Sequence, residues 1–419
     1  MNAERKQAEC VYRGFRTIYL RASSLPSGMI ILLIILTLAV ICLCSCAGER
    51  SRADETESPV SIDIGEDVRQ LDSTANTNIA GESAARVIRD MAGRNVELPA
   101  TIKKVYSTGQ PGVVLLYTLA PEKLLGWCLR VGAAEAEYFD PKYLSLPVLG
   151  LMQGSNNTAN REEIIKRGPD IILFMTQIGD TTARTADEIQ DSMKIPVVTV
   201  DFSLDKLGEA YIFLGGLIGA EERAGLLAEY CDKTYTGVVS IASSIPDSER
   251  VTVYYAQGTN GLQTAPRYSA HSQVIDAAGG KNVVELGANT DGRLTINMEQ
   301  LIVYDPDVIL LSYSMGHEGT KMYSDDGTLI MIKTDDRWSN LSAVKNGKVY
   351  TTPCYPYNWQ DMPPSVNRII GLRWLGELLY PDYYDIDIRD ATREFYSLFY
   401  QLELTDEQLD TLLENATEG

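Results

Sequence analysis

Few side chains of this sequence could do chemistry, and its histidines are the most informative of them. His271 and His317 are the only histidines in 419 residues. The sequence therefore offers few residues for a Ser-His-Asp triad and too few for a metal site built from several imidazoles. The sequence also lacks a GxxxxGK(S/T) phosphate loop, a GxSxG elbow, an HExxH zinc motif and a CxxC pair. These absences favour a protein that binds a ligand over one that transforms it.

Both histidines lie in segments that are rich in aromatic residues. Aromatic faces together with an arginine suit a large, flat or catecholate-like ligand. The candidate ligand-binding residues are Tyr117, Gln153, Tyr255, Gln257, Arg267, Tyr268, His271, Tyr313, His317, Tyr357 and Trp359. Because the chain has 23 tyrosines, the alternative for many of these tyrosines is ordinary packing. For either histidine, the alternative is an ordinary surface position.

The elements that must position these residues alternate between strands and helices. Short continuous apolar runs predict buried parallel strands at 113–117, 170–174 and 196–200, and a second set at 250–255, 307–311 and 348–350. Helical stretches separate the first set, at about 121–131, 161–166 and 183–193. The alternation predicts an α/β protein with two groups of parallel strands.

The segment between the two sets predicts a connecting helix. Residues 204–243 have apolar residues at helical spacing, with no proline before Pro246. At about 1.5 Å per residue such a helix could run over about 50 Å and join two lobes. An internal repeat supports two lobes, because Glu162 to Leu173 aligns with Glu299 to Leu310, each with Pro-Asp before an apolar run. One copy could come from any helix-to-strand connection, but two at equal spacing favour a repeated unit.

The N-terminal region predicts export and lipid attachment. Residues 1–28 are basic, residues 29–43 are an apolar run, and Leu43-Cys-Ser-Cys46-Ala follows. The run is shorter than the roughly 20 residues of a membrane-spanning helix and fits a signal-peptide core. Small residues before Cys46 resemble a lipobox, so we expect a signal peptide at 1–45 and a diacylglycerol on Cys46. The alternative is an uncleaved anchor helix. Residues 47–99 are polar and acidic and predict a flexible stalk, with a short helix near 81–91 as an option.

Charge and cysteine content indicate which partners and which disulfides the protein can have. The chain has 37 basic and 57 acidic residues, and after residues 1–45 are removed the net charge is −23. Such an excess of acid argues against nucleic acid and against an anionic membrane surface as partners. Cys128, Cys231 and Cys354 then remain beside the lipidated Cys46. They are far apart and odd in number, so we expect free buried thiols, with one disulfide as the alternative.

Four motifs, in order over residues 113–381, resemble a known family. These are Arg161-Glu-Glu-Ile-Ile-Lys-Arg-Gly-Pro-Asp170, Asn297-Met-Glu-Gln-Leu-Ile-Val-Tyr-Asp-Pro-Asp307, His271-Ser-Gln-Val-Ile-Asp-Ala-Ala-Gly-Gly-Lys-Asn282 and Trp338-Ser-Asn-Leu-Ser-Ala-Val-Lys-Asn-Gly-Lys-Val-Tyr350. Together they resemble the periplasmic binding proteins for iron-siderophore complexes, haem and vitamin B12, the substrate-binding lipoproteins of ABC importers. The chain departs from that family in its longer tail after Pro381 and in the lead-in to its first strand.

The resemblance implies an α/β fold with two Rossmann-like lobes joined by a single long α-helix, the class III periplasmic binding protein fold. It implies the following boundaries: signal peptide 1–45, acidic linker 46–100, N-terminal lobe 101–203, connecting helix 204–245, C-terminal lobe 246–381 and helical extension 382–419. The ligand would lie in the cleft between the lobes, at the carboxyl ends of the strands.

The resemblance also implies a function, which is capture of a solute for import. A ferric siderophore is the first expectation, with haem or a corrinoid as alternatives, and for haem the axial ligand would be Tyr268, His271 or His317. No cofactor is implied, since the metal belongs to the ligand. The expected partners of this monomer are an ABC permease and its ATPase, docked through Glu299 and Glu162 or Glu163. Its expected place is the outer face of the cell membrane, held by the lipid alone. A surface enzyme or a sensor on the same fold remains an alternative.

Overall fold

A computed structural model describes residues 86–153, 157–285, 293–312 and 326–417 of the chain. The predicted signal peptide, Cys46, Tyr313 and His317 lie outside the described residues. So does the stalk up to residue 85. No helix in the described ranges is both long enough and apolar enough to cross a membrane. The described residues belong to one compact unit, Ile79–Gly419.

The first lobe is built on a parallel sheet with strand order β3-β4-β5. Its elements are β1 (Arg86–Arg89), β2 (Asn95–Leu98), β3 (Val105–Ser107), α1 (Gln110–Leu119), α2 (Ala133–Ala136), α3 (Pro141–Leu144), α4 (Arg161–Arg167), β4 (Ile171–Thr176), α5 (Thr182–Met193) and β5 (Val197–Asp201). The strands predicted at 170–174 and 196–200 are therefore confirmed, as are the helices near 161–166 and 183–193.

The strand predicted at 113–117 is wrong, because these residues lie inside α1. Eight of the ten residues of α1 are buried, and a helix buried on all sides shows the same continuous apolar run as a buried strand. Pro111 in the first turn suits a helix start. The first strand of the sheet is instead β3, which is only three residues long and too short to stand out in the sequence.

The helix predicted at 121–131 is also wrong beyond its first turn. Only Pro121–Lys123 form a 3-10 turn, and Trp127 pairs with Val148 as an isolated parallel bridge. A Cβ added at Gly126 would lie 2.5 Å from the carbonyl oxygen of Pro147. The two extended segments therefore approach each other closely here, which a helix would prevent.

A β-hairpin occupies the end of the segment predicted to be linker. Strands β1 and β2 pair antiparallel, so residues 86–91 do not belong to the short helix suggested near 81–91; residues 81–85 lie outside the described residues. The turn of the hairpin covers the free edge of β5. Met91 N–H donates to the carbonyl of Thr199 at 3.2 Å, and buried Asp90 accepts from Thr199 N–H at 3.2 Å. An edge strand that is capped in this way cannot pair with another chain.

Two helices rather than one follow the first lobe. They are α6 (Leu207–Ile218) and α7 (Glu221–Ser244), so the uninterrupted helix predicted over 204–243 is broken at one point. Gly219 ends α6 with a left-handed backbone, φ 74°, which glycine adopts without steric cost. Helix α7 has 24 residues, or about 36 Å, and is the long helix that links the two lobes.

The second lobe has a parallel sheet with strand order β11-β10-β6-β8. Its elements are β6 (Thr252–Ala256), β7 (Gln263–Thr264), α8 (Gln273–Ala277), β8 (Lys281–Asn282), β9 (Leu294–Thr295), α9 (Met298–Tyr304), β10 (Val308–Leu311), α10 (Asp326–Thr334), α11 (Ser342–Lys345) and β11 (Val349–Thr351). The strands predicted at 250–255, 307–311 and 348–350 are confirmed. Strands β7 and β9 pair antiparallel beside the sheet.

The internal repeat corresponds to one structural unit in each lobe. In the first lobe, the Asp170 carboxylate accepts from the backbone N–H of Lys103 and Lys104, which precede β3. In the second, the Asp307 carboxylate accepts from Thr252 N–H at 2.9 Å, at the start of β6. Each aspartate thus fixes the start of its own strand to that of the neighbouring parallel strand. This is a structural reason for the Pro-Asp pair in both copies.

The C-terminal region forms α12 (Asn367–Leu379), α13 (Ile388–Tyr400) and α14 (Asp406–Leu413). The last part of the chain contacts both lobes. Gln408 donates its side-chain amide to the carbonyl of Glu137 in the first lobe at 3.1 Å. In the second lobe, Thr351 N–H donates to the carbonyl of Asn415 at 2.8 Å. The tail is therefore part of the folded body and covers the edge strand β11.

Candidate functional site

Three residues predicted to bind the ligand meet at one buried carboxylate, that of Asp361. The Tyr255 hydroxyl donates to its Oδ1 at 2.5 Å, and the side-chain amide of Gln257 donates to its Oδ2 at 3.3 Å. Nδ1 of His271 lies 2.9 Å from the same Oδ2. Asp361, Tyr255 and Gln257 are fully buried, while 28% of the His271 side chain is exposed. The imidazole therefore connects this buried network to solvent.

The local fold explains why these residues converge. Tyr255 and Gln257 stand two positions apart at the carboxyl end of β6 and so point to the same side of the sheet. His271 closes the loop before α8, in which the hydroxyl of buried Ser272 donates to the carbonyl of Pro266 at 2.8 Å. Asp361 comes from the loop after β11. That loop is held by the Asn358 side chain, whose oxygen accepts from the backbone N–H of Asp361.

The network determines which nitrogen of His271 carries the proton. Burial, followed by the nearby charge of Asp361, raises the pKa of Tyr255 well above its usual value, so this hydroxyl remains a neutral donor. The Asp361 carboxylate is an acceptor, so Nδ1 of His271 must donate to it. In the described ranges no group hydrogen-bonds to Nε2, so this nitrogen is available to a solute. A histidine oriented by a carboxylate in this way is a typical metal ligand.

Arg267 and Tyr268 form a second, solvent-facing part of the site. Arg267 makes ion pairs with Asp276 at 3.1 Å and with Glu285 at 2.9 Å. Its guanidinium stacks over the Tyr268 ring, 4.8 Å from the centroid. Tyr268 is 76% exposed and has a left-handed backbone, φ 67°, which is unusual for a residue other than glycine. An aromatic face is thus held in solvent near His271.

Gln153 lies at the corresponding position of the first lobe. Its side-chain amide donates to the carbonyl of Met175 at 3.2 Å, near the carboxyl end of β4. Gly109 leaves room for it, since a Cβ there would lie 2.3 Å from Oε1 of Gln153. In both lobes, therefore, polar side chains predicted to bind the ligand lie at the carboxyl ends of parallel strands.

Three aromatic residues predicted to bind the ligand are buried in the core. Tyr117, Tyr357 and Trp359 are at most 9% exposed. The Tyr117 hydroxyl accepts from the Asp140 backbone, and the Trp359 indole donates to the Tyr396 hydroxyl at 3.2 Å. Helix α13 supplies the rings that help to cover them, and the sequence does not show where that helix packs. These contacts favour the packing alternative for the three rings, and their role in ligand binding stays a prediction.

Asp361 is the centre of the network but was not among the predicted site residues. It lies two residues after Trp359 in the segment Tyr355-Pro-Tyr-Asn-Trp-Gln-Asp361, of which only the aromatic residues Tyr357 and Trp359 were predicted to bind the ligand. An acidic residue within an aromatic segment is the one sequence signal that could have indicated Asp361. Its partners lie 90 and 106 positions earlier in the chain, a distance that sequence patterns do not bridge.

The glutamates predicted to dock on the permease lie on equivalent helices. Glu162 and Glu299 are both exposed and both stand in the first turn of a seven-residue helix, α4 and α9. Glu163 is partly buried and pairs with Arg167 at 2.7 Å. Of the two candidates in the first lobe, Glu162 is thus the one free to meet another protein.

The expectation of buried cysteines without a disulfide is confirmed for Cys128, Cys231 and Cys354. Within the described ranges, no group of three or more histidine, cysteine, aspartate or glutamate residues could hold a metal ion.

Comparison with known proteins gives one family and several relatives. A family model described as periplasmic binding protein matches residues 140–356. The solved structure of an ABC transporter solute binding protein from Sulfurospirillum deleyianum is 30% identical, with a TM-score of 0.70, over 78% of this chain and 99% of that chain.

Two relatives are named for their ligands. The molybdate-binding protein MolA of Haemophilus influenzae is 23% identical over 346 residues, which is 76% of this chain and 92% of that protein. A cobalamin-binding protein of Halobacterium salinarum is 26% identical over 164 residues, which is 38% of this chain and 42% of that protein.

Proposed function

This chain belongs to the periplasmic binding protein family and is a solute-binding protein of an ABC transporter, and we propose that its solute is a metal chelate, with a ferric siderophore as the first candidate. In this proposal the solute lies between the carboxyl ends of the two parallel sheets. Nε2 of His271 completes the coordination of the metal, and the exposed Tyr268 ring covers part of the organic ligand.

The observation that carries the proposal is the hydrogen bond between Nδ1 of His271 and buried Asp361, at 2.9 Å. It orients the imidazole, fixes its tautomer and leaves Nε2 as a lone-pair donor. A single imidazole cannot retain a bare metal ion against water. It can occupy one exchangeable position of a metal that a chelator already holds, which is the state of iron in a siderophore that is not fully coordinating.

Haem and corrinoids belong to the same chemical class, since each is a metal chelate with an axial position. The relative that binds cobalamin supports keeping a corrinoid as an alternative solute. We place a ferric siderophore first because Arg267 and the exposed Tyr268 ring suit a catecholate-like ligand.

A free oxyanion is the second candidate, favoured by the similarity to a molybdate-binding protein along 92% of that protein's length. Oxyanions need hydrogen-bond donors. Nδ1 of His271 already meets Asp361, which leaves Nε2 as the one ring nitrogen for a solute. A lone pair on that nitrogen suits a metal centre with an open coordination position.

The place and partners of the protein follow from its family. Periplasmic binding proteins work outside the cytoplasm and deliver solute to a permease. We propose that Cys46 carries the lipid that tethers this chain and that Glu162 and Glu299 contact the permease. Exposed acids at matching helix positions of both lobes support this geometry.

The first experiment is a titration of the protein with ferric hydroxamates, ferric catecholates, haem, cobalamin and molybdate, followed by absorption and tryptophan fluorescence. We expect one ferric chelate to bind at sub-micromolar concentration, and His271→Ala to weaken binding at least about tenfold. His317→Ala is the matched control for loss of a histidine. Binding of molybdate alone, or loss of binding in His317→Ala but not in His271→Ala, would contradict the proposal.

A further inference from the structure

A fully buried arginine lies where the two lobes meet. Arg368 is the second residue of α12 and has no exposed surface. Its Nη1 donates to Oε1 of Gln273 at 2.8 Å, and its Nε donates to the carbonyl of Ser365 at 3.2 Å. Its Nη2 donates to the carbonyl of Phe202. One guanidinium thus joins two distant segments, those of Gln273 and Phe202, to the segment that carries Arg368 and Ser365.

Each of these segments is connected to the candidate site. Gln273 begins α8, two residues after His271, and Ser365 lies four residues after Asp361. The two halves of the His271–Asp361 pair therefore come from segments that Arg368 joins. Phe202 directly follows β5 of the first lobe, so the same side chain also connects both segments to the opposite sheet.

The buried charge of Arg368 favours keeping its hydrogen bonds to Gln273, Ser365 and Phe202 in place. Burial lowers the pKa of Arg368 to about 10, so the side chain still carries its charge at neutral pH. In the described ranges no carboxylate makes an ion pair with it, and Asp361, Asp201 and Asp205 act only at longer range. A buried cation that is held by neutral acceptors is stable only while these stay in place. The planar fork of a guanidinium adds a directional requirement.

From this geometry we infer that Arg368 is a positioning residue, which aligns the His271–Asp361 pair and couples it to the end of β5 in the first lobe. The inference rests on the proposed function only for the use of that pair. A shift of the first lobe moves Phe202, and through Arg368 it moves the segments that orient the imidazole. Closure of the lobes and the orientation of His271 are thereby linked without any contact between Arg368 and the solute.

The test measures the His271 tautomer, which needs no solute. The protein is prepared from residue 47, retains the compact unit Ile79–Gly419, and carries ¹⁵N-labelled histidine. With only two histidines in the chain, the His317→Gln variant assigns both signals. We expect the Nδ1–H tautomer in the unchanged protein. In Arg368→Met we expect a shift toward the Nε2–H tautomer that a histidine free in water prefers.

Arg373→Met is the matched control, because Arg373 lies on the same helix and pairs with Glu394 at 2.8 Å, away from the site. It should leave the tautomer unchanged. If Arg368→Met does not fold, Gln273→Ala removes the connection to α8 at a partly buried position and should give the same shift. An unchanged Nδ1–H tautomer in a folded Arg368→Met or in Gln273→Ala would overturn the inference.

Hydrogen exchange and affinity complete the test. Arg368→Met should raise amide exchange in the segments around 199–206 and 265–275 together, whereas Arg373→Met should raise it in neither. Arg368→Met should also weaken binding of the ferric chelate found by titration at least about tenfold. If no ferric chelate binds, the proposed function fails, but the tautomer and exchange results still decide the role of Arg368. Exchange that rises in only one of the two segments would contradict the coupling.

Discussion

His271 and Asp361 are 90 residues apart in the chain, yet their side chains meet at 2.9 Å, one partly exposed and the other fully buried. The carboxylate is held in turn by Tyr255 and Gln257, so three donors surround it. The described ranges contain no cluster of metal-binding side chains. The pair with Asp361 instead orients a single imidazole, that of His271. The predictions below follow from it and from the way in which the rest of the fold supports it.

Replacing Asp361 by asparagine should weaken binding of the ferric chelate by about 10- to 100-fold, the usual effect of removing a carboxylate that orients a metal-binding histidine. The asparagine keeps the volume of the side chain but lowers its power to accept from Nδ1. Isothermal titration calorimetry measures the change. Asp276→Asn, which removes a carboxylate from the Arg267 pair, is the control and should have a smaller effect. Equal losses in both variants would mean that Asp361 has no special role.

Charge reversal at the docking residues should separate transport from binding. Glu299→Lys and Glu162→Lys should each abolish or strongly reduce uptake in cells while the affinity for solute stays unchanged, because both side chains are exposed on helices remote in sequence from the His271 network. Glu222→Lys is the matched control, since Glu222 is also exposed in the first turn of a helix. Normal uptake with both reversals, or an equal loss with Glu222→Lys, would remove the docking role.

The tail should be required for stability rather than for binding. Phe395 of α13 is fully buried and stacks on Phe399, with centroids 4.6 Å apart. Phe395→Ala should lower the free energy of unfolding by about 3–5 kcal/mol through loss of apolar contact and the cavity that remains. Urea denaturation measures the loss, and the affinity of the folded fraction should be unchanged. A large change in affinity with little change in stability would show that the tail acts on the site directly.

The sequence predicted most of the scaffold but only part of the site. Strands such as β4 and β10 stand out because they are continuous apolar runs bounded by Pro-Asp, whereas the three-residue β3 does not. Helix α1 was mistaken for a strand because it is buried on all sides. In the site, Tyr255, Gln257 and His271 were among the predicted residues, but their common partner Asp361 was not. Hydrogen bonds between distant segments depend on tertiary packing, which leaves no local pattern.

The central claim is that Nε2 of His271 binds the metal of the solute. Pulsed electron paramagnetic resonance on the ferric complex tests it most directly, with protein labelled by ¹⁵N-histidine. The account predicts a nuclear modulation from one directly bound imidazole nitrogen, present in the unchanged protein and in His317→Ala and absent in His271→Ala. A ferric complex of the unchanged protein without that modulation, or a modulation that persists in His271→Ala, would contradict it.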